Sequence, residues 1–585
     1  MNYLFANLVT GSSYPMMPVG TAYVAAALRQ TGRYVTGISL DYYENPIEAL
    51  LKKIWDEQID VLCIGELSKN YPVLKNTISA VRKNCSHIKI IVGGGIITAE
   101  PEFIAQHLDM DFGCVGYGEE TICELADCLE TNGDFSKIKG LVFKNEANQV
   151  IITPRRPEPD NLDDIPFPAL ELFGFKGGKN QELRIVGSRS CTHNCTFCFH
   201  PSGYRYKERS LDNIFSEISY WKEKFKISKV EFSDELFGSN KERVLEFCRR
   251  FKKLGMKFTV QLRVDVVTEE LIGALADSDC ISIAYGIESM NQKVLDSMRK
   301  QITVEQVEAA LMITRKYNVP IIGNIIFGDM IETYDMAKES LNWWFQNLHY
   351  GINLWFIAAY PGTALYRYGI KTGRIKDKLR FLEERCPVTN LSEMSDSEFA
   401  KLQRLVELMQ KMSGEPVTNV RIEKQEDGDF LFGADCPNCG ISNFAAYDAI
   451  LNNAFSTVYQ YCTKCGSKLI LAQRFQEYLK DNYYFEEYDY RDKKIAVWGA
   501  SPKTLFRLAA NKRMRDAVVV VADLAYRRYC DNLFAGFSVC APEMLSTINF
   551  DILYIGSRVS RKGILNMAKE ILGDEYEKKE IMMMD

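Results

Sequence analysis

Twice along this chain short apolar runs alternate with segments of helical period, and that alternation excludes most folds other than parallel α/β layers. The first alternation covers residues 1–135. Its runs are YLFANLV, YVTGISL, VLCIGE, IKIIVGG and FGCVGY, separated by helix candidates such as TAYVAAALRQ, PIEALLKKIW and EETICELADCLE. Five such units predict a doubly wound, Rossmann-type parallel sheet. Glycines follow the strands, at Gly11, Gly65, Gly93, Gly94, Gly95, Gly116 and Gly118. Open α/β sheets take their ligands at that edge, and backbone without a Cβ lets a bulky molecule come close.

The second alternation starts at Leu183, with strand candidates LRIVGS, KVEFS, FTVQLR, ISIAYGI, IIGNIIFG and LWFIAA. Helical stretches such as LDNIFSEISYWKEKF and KERVLEFCRRFKKLG lie between them. Six strand–helix units predict a partial (β/α)6 barrel over residues 181–370, with its chemistry on the loops that follow the strands. Residues 136–180 combine two β-like runs, GLVFKNEANQVIIT, with a proline-rich linker, RRPEPDNLDDIPFPAL. Beyond the barrel the sequence predicts a helical extension at 371–425, a small cysteine-containing module at 426–475 and a final α/β domain at 476–585.

A net charge of −6 without a long basic run gives no footprint for nucleic acid or an anionic membrane. The longest apolar stretches, such as AVVVVA around Val518, are too short to span a bilayer, and MNYLFANLVT lacks the features of a signal peptide. The expected location is the cytoplasm. In that reducing compartment the 17 cysteines are expected as metal ligands or buried small apolar side chains, not disulfides.

Three of them stand in CTHNCTFCFH, residues 191–200, where Cys191, Cys195 and Cys198 form CxxxCxxC directly after the first strand of the second alternation. A closed structural metal site wants four protein ligands. Three thiolates on a 4Fe-4S cluster leave one iron open for a substrate or cofactor. Three buried cysteines, or a zinc site completed by His193 or His200, are the alternatives that the residues leave.

The segment resembles the CxxxCx-aromatic-C signature of radical S-adenosylmethionine (radical SAM) enzymes, with Phe197 as the aromatic residue, and the resemblance continues over most of residues 183–366. It implies that the open iron chelates the amino and carboxylate groups of S-adenosylmethionine, whose one-electron cleavage gives a 5′-deoxyadenosyl radical. YRYKERS (204–210) resembles the arginine-containing stretch behind the cluster loop. EFSDELF (231–237) resembles the acidic motif after the second strand, which implies hydrogen bonds from Asp234 and Glu235 to the cofactor's ammonium. QLRVD implies Arg263 and Asp265 at the methionyl carboxylate or ribose, and YGIES supplies Glu288 and Ser289. GNIIFGDMIET (323–333), with Gly328, resembles the segment along the adenine, although it lacks the proline of the GLPGET found in many relatives. YPGTALY (360–366) resembles the sixth-strand loop.

The first domain is similar to the cobalamin-binding domain of class B, methyltransferase-like radical SAM enzymes, on PVGTAYVAAALRQTG, IVGGGIITAEPE, GYGEET and DNLDDIPFPAL. This implies a corrin between the two domains, with its nucleotide tail against the strand ends, lined by Ser68, Gly93, Gly94, Gly95, Gly116 and Glu119. The loop of residues 10–20 is then expected under the corrin. Many cobalamin proteins carry DxHxxG there, whereas this chain reads TGSSYPMMPVG, so the cobalt is expected to receive no histidine from it.

In the tail, Cys436 and Cys439 in CPNCG and Cys462 and Cys465 in CTKCG predict a structural zinc ribbon; a second iron–sulfur cluster is the rival. KKIAVWGASPKT (493–504) resembles the small Rossmann-like domain appended to some sugar methyltransferases and glycan-pathway enzymes. Its turn holds Gly499 alone and Asp523 ends the next strand, so docking or a purely structural role is favoured over a dinucleotide site.

The expected activity is cobalamin-dependent radical SAM methyl transfer to an unactivated carbon or phosphorus centre of a small molecule, fed by an electron donor such as flavodoxin or ferredoxin. A non-methylating rearrangement, cyclisation or oxidation, and a non-catalytic cofactor-sensing scaffold, are the competing readings.

Overall fold

The computed structural model describes residues 1–9, 17–43, 45–177, 182–201, 203, 205–410, 415–424, 430–446, 451–452, 458–470, 490, 492–500, 504, 512–524, 526, 533–534, 537–556 and 561–583. Most of the expected 10–20 loop, residues 10–16, lies outside the described residues, as do Tyr204 of YRYKERS and residues 501–503 of KKIAVWGASPKT.

The first alternation forms strands β1 (Asn2–Asn7), β2 (Tyr34–Ser39), β3 (Val61–Gly65), β4 (Lys89–Gly93) and β5 (Phe112–Cys114), parallel and in the order β2-β1-β3-β4-β5. Leu4, Phe5, Ala6, Leu62, Ile64, Ile90 and Val92 are buried on successive positions of their strands, as a sheet covered on both faces requires. The helix Pro46–Asp56 starts on a proline at its first turn and buries Leu50, Leu51 and Ile54 at helical spacing. A hairpin, β6 (Leu141–Lys144) and β7 (Val150–Ile152), pairs antiparallel with the short edge strand β5 and completes a seven-stranded sheet. The strand order reverses between β1 and β3, and that places a ligand crevice at their carboxyl ends.

The second alternation supplies β8 (Leu183–Ile185), β9 (Ser188–Arg189), β10 (Lys207–Glu208), β11 (Lys229–Phe232), β12 (Lys257–Leu262), β13 (Cys280–Glu288), β14 (Ile321–Phe327) and β15 (Asn353–Phe356). β9 and β10 form a two-stranded antiparallel ribbon; the others form a six-stranded sheet in the order β8-β11-β12-β13-β14-β15. Each of four crossover helices opens on a side chain that accepts from a backbone N–H three residues on: Ser210 from Asn213, Asn240 from Arg243, Thr268 from Leu271 and Asn291 from Val294. Such caps contribute about 1 kcal/mol each and set where a strand's loop must end.

The chain divides into two compact units: Met1–Ala310, Ile326–Met336 and Phe356–Glu393 in one, Leu311–Ile325, Ala337–Trp355 and Met394–Asp585 in the other. The second unit carries the cysteine module, with Thr418–Lys424, Phe430–Asp435 and Ser442–Ala446 in a three-stranded antiparallel sheet. Its final sheet runs Leu533–Phe534, Phe537–Cys540, Val518–Ala522, Ile495–Trp498, Ile552–Ile555, Glu580–Met583; the short edge strand Leu533–Phe534 is antiparallel and the other five are parallel. Among themselves the five parallel strands follow the order 3-2-1-4-5, as in a Rossmann-type sheet and different from the order in the first domain. Among the described residues no helix is long and apolar enough to cross a membrane.

Candidate functional site

A cavity of about 340 Å³ opens at the carboxyl ends of β3, β4 and β5. Its floor is Phe5, Cys63, Ile91 and Cys114, and its rim is the glycine series Gly93, Gly94, Gly95, Gly116 and Gly118. Gly94 has φ 84° and ψ −166°, a region open only to glycine, and a Cβ there would meet the Glu66 backbone at 2.6 Å. The Gly116 N–H donates to Oγ1 of Thr98 at 3.0 Å and holds the neighbouring turn. Burial pushes the Cys114 thiol up to about 12 and raises Cys63 as well, so both remain neutral apolar floor.

The opposite wall belongs to the barrel: Val186, Ser188, Arg189, Ser190, Pro201, Ser233 and Glu235. The cavity therefore abuts the cysteine loop. Of the six residues expected around a nucleotide tail, Gly93, Gly94, Gly95, Gly116 and Glu119 line it and Ser68 does not. Ser68 is buried in the short turn Ser68–Asn70, where Asn70 Nδ2 and the Leu67 N–H both donate to Oε2 of Glu66 and fold the chain back. A volume of about 300–1,000 Å³ is that of a ligand pocket for a small molecule. The apolar floor and the glycine rim fit the flat base and sugar of a cobalamin nucleotide tail.

In the cysteine loop Cys191 is half-buried, Cys195 buried and Cys198 exposed. The loop is braced from behind: the Thr196 N–H donates to the Met298 carbonyl at 3.0 Å, and the Leu365 N–H donates to the Thr196 carbonyl at 3.0 Å. The hydrogen bond between Cys198 and Cys195 holds the Cys195 thiol down to about 6, against burial and with help from Lys300 and Arg263, while the same bond raises Cys198. The pair thus sheds its first proton easily, which suits a metal-binding loop. His193 Nδ1 lies 3.9 Å from Cys191 Sγ, and His200 Nδ1 pairs with Oε2 of Glu235 at 3.0 Å. Neither histidine converges with the three cysteines as a single-ion site would require among the described residues. A cluster spreads its thiolates over separate irons, and this loop fits that arrangement.

The other residues expected at the cofactor gather around the loop, several of them facing inward. Asp234 turns its carboxylate away from the cavity: Oδ1 accepts from the Gly187 N–H at 2.6 Å and Oδ2 from Ser188 Oγ at 2.9 Å, and burial raises it to about 7. It ties strand β11 to the end of β8, and Glu235 alone of the pair reaches the cavity wall. Arg263 donates to Asp265 at 3.0 Å and to the Lys300 carbonyl at 2.9 Å. Ser289 Oγ accepts from the Asn291 N–H, and the Gly328 N–H, at φ 104°, donates to Oε2 of Glu332 at 2.6 Å. Lys300, Arg189, Tyr23, Tyr117 and Thr98 escaped the sequence reading, because nothing in local spacing marks a lysine beyond a helix or an arginine inside a two-residue strand.

In the second unit the four tail cysteines converge, with their Sγ atoms all within 4.8 Å of one another. Cys436 and Cys465 are 3.6 Å apart and Cys439 and Cys462 3.5 Å. A tetrahedral ion with Zn–S of about 2.3 Å puts its sulfurs about 3.8 Å apart, so the site fits one zinc and is too tight for a cluster. Gly440 at φ 72° and Gly466 at φ 66° close the two knuckles through N–H bonds to the Cys436 and Cys462 carbonyls. Burial works against the Cys465 thiolate, but hydrogen bonds with Ser467 and Asn438 hold that thiol down to about 6. In the last domain Asp523 accepts from the Ala500 N–H at 2.8 Å, a contact inside the turn itself.

Comparison with known proteins agrees with this geometry. The profile of the B12 binding domain matches residues 8–126 and that of the radical SAM superfamily matches residues 185–343. An uncharacterized methyltransferase of Pyrococcus horikoshii is 27% identical over 409 residues, covering 68% of this chain and 87% of the relative. The cytidylyl-2-hydroxyethylphosphonate methyltransferase of Streptomyces wedmorensis is 24% identical over 395 residues, 55% of this chain and 73% of the relative. The solved structure of the radical S-adenosylmethionine methyltransferase TsrM from Kitasatospora setae, with cobalamin and a [4Fe-4S] cluster bound, superposes with a TM-score of 0.54 at 15% identity, over 64% of this chain and 76% of that one. This chain therefore carries a B12-binding domain followed by a radical SAM domain, the equipment of an enzyme.

Proposed function

We propose that the protein is a cobalamin-dependent radical SAM methyltransferase acting on an unactivated carbon or phosphorus centre of a small molecule. The observation that carries this reading is the shared cavity wall: Ser188, Arg189 and Ser190, just ahead of Cys191, face the glycine rim of the B12-binding domain across one space. When bound, the cluster with S-adenosylmethionine supplies a carbon-centred radical and the cobalamin supplies a methyl group, so the protein's own task is placement.

In this reading Cys191, Cys195 and Cys198 hold the cluster and leave its fourth corner open. Glu235 is the carboxylate available at the wall for the ammonium of S-adenosylmethionine, while Asp234, Arg263, Glu288 and Ser289 keep the strand ends and the loop in register. Gly93, Gly94, Gly95 and Gly116 admit the nucleotide tail, and the apolar floor keeps water from that end of the cavity. The methyltransferases of Pyrococcus horikoshii and Streptomyces wedmorensis among the relatives support transfer over rearrangement. An electron donor of the flavodoxin or ferredoxin type and a cytoplasmic setting complete the proposal.

The test is product analysis of the anaerobic, cluster-reconstituted protein with cobalamin, S-adenosylmethionine and a low-potential reductant. Formation of both 5′-deoxyadenosine and S-adenosylhomocysteine is expected. 5′-Deoxyadenosine without S-adenosylhomocysteine would put a non-methylating radical reaction in its place, and neither product would leave the scaffold reading.

A further inference from the structure

Arg189 lies two residues before Cys191 on a strand paired to Lys207, yet its guanidinium leaves the barrel. It stands 5.1 Å from the ring centroids of both Tyr23 and Tyr117, and its Nη2 donates to Oε1 of Glu119 at 2.6 Å. All three partners belong to the B12-binding domain. Tyr23 is gripped a second time by the barrel, where Arg209 Nη1 donates to its hydroxyl at 3.3 Å and itself pairs with the buried Glu217. The Arg189 and Glu119 side chains are only 13% and 12% exposed, so their ion pair is largely out of water. A planar guanidinium held by one carboxylate and two rings has little rotational freedom.

Two further facts give these contacts a direction. Arg189, Tyr23, Tyr117 and Glu119 all line the cavity, so whatever fills it touches the contact itself. Ser190, the one residue between Arg189 and Cys191, sits at φ 68° with its Oγ donating to the Gly203 carbonyl at 2.8 Å. The linkage from the arginine to the first cysteine therefore has no slack.

We infer that Arg189 is a positioning residue that couples occupancy of the cavity to the geometry of the cluster loop. A molecule seated on the strand ends sets the two rings and Glu119; these set the guanidinium, and the pinned Ser190 carries its position to Cys191. The inference rests on the reading that the cavity receives cobalamin.

The experiment uses full-length, anaerobically reconstituted protein without S-adenosylmethionine: wild type, Arg189→Met, Arg189→Lys and Glu119→Gln. Affinity for hydroxocobalamin is read by absorbance titration, iron by analysis, and the reduced cluster by electron paramagnetic resonance with and without hydroxocobalamin. The wild-type cluster signal is expected to shift when hydroxocobalamin binds. Arg189→Met is expected to keep its iron, bind hydroxocobalamin at least tenfold more weakly and lose the shift, with Arg189→Lys in between, because lysine keeps the charge without the planar fork. Affinity within twofold of wild type and an unchanged shift in Arg189→Met would overturn the coupling alone. Wild-type protein that binds no hydroxocobalamin would overturn the reading of the cavity and the coupling with it. Should Arg189→Met lose iron, Glu119→Gln, on the other domain, decides: loss of the shift with iron intact supports the coupling, and a retained shift overturns it.

Discussion

Lys300 Nζ lies 2.7 Å from Oε1 of Glu288, and both side chains are buried behind the cysteine loop. Glu288 sits at φ 65°, a left-handed conformation that a non-glycine residue adopts at a cost, and the Lys300 carbonyl accepts from Arg263 Nη2 at 2.9 Å. The ammonium stays charged because Glu288 outweighs the penalty of burial. Cys195 is within the field of the same pair. The end of β13 and the wall of the loop are thus one electrostatic unit.

Replacing Lys300 by Met leaves the Glu288 carboxylate buried without its counter-charge, a change that typically costs about 3–5 kcal/mol. A lowered unfolding midpoint in denaturant is expected together with reduced iron after reconstitution. A variant with wild-type midpoint and full iron would show that the pair does not brace the loop.

Gly94→Ala tests the glycine rim. The added methyl meets the Glu66 backbone, and alanine at this φ and ψ costs about 1–3 kcal/mol. Weakened cobalamin binding with an intact cluster is expected, measured by absorbance titration and iron content on one sample. Equal loss of both groups would place the damage in global folding and count against a local role for the rim.

Glu332 provides a pH test. Burial, opposed by the Gly328 N–H and reinforced by Asp329, pushes its carboxyl from 4.5 up to about 8. The folded state therefore binds a proton that the unfolded state releases between about pH 4.5 and 8, and this group's contribution to stability falls as pH rises through that window. Glu332→Gln removes the contribution to the slope. The difference in unfolding midpoint between wild type and variant should move in favour of the variant from pH 5 to pH 8; a constant difference would contradict the raised carboxyl.

The ribbon is testable by metal removal. A chelator, or Cys439→Ser, should release one zinc per chain and raise hydrogen exchange in strands Ser442–Ala446 and Val458–Tyr461, with the cluster iron unchanged. Iron in place of zinc at this site would reverse the assignment.

Much of this protein is local in origin. Strand–helix period, proline at helix starts, caps such as Ser210 and Thr268, the spacing of Cys191, Cys195 and Cys198, and the knuckle glycines 440 and 466 are all readable along the chain, because each depends on neighbours within a few residues. Tertiary structure alone decided which way side chains turn. Asp234 and Glu235 are adjacent in sequence, yet one ties two strands together and the other meets the cavity. Ser68 looked like a pocket residue until the turn around Glu66 removed it. Arg189 and Glu119 are 70 positions apart, and Lys300 is 12 beyond Glu288. Such pairs form because a buried charge must find an opposite charge wherever the packed strands bring one within reach, and that meeting is set by the three-dimensional arrangement and not by any sequence period.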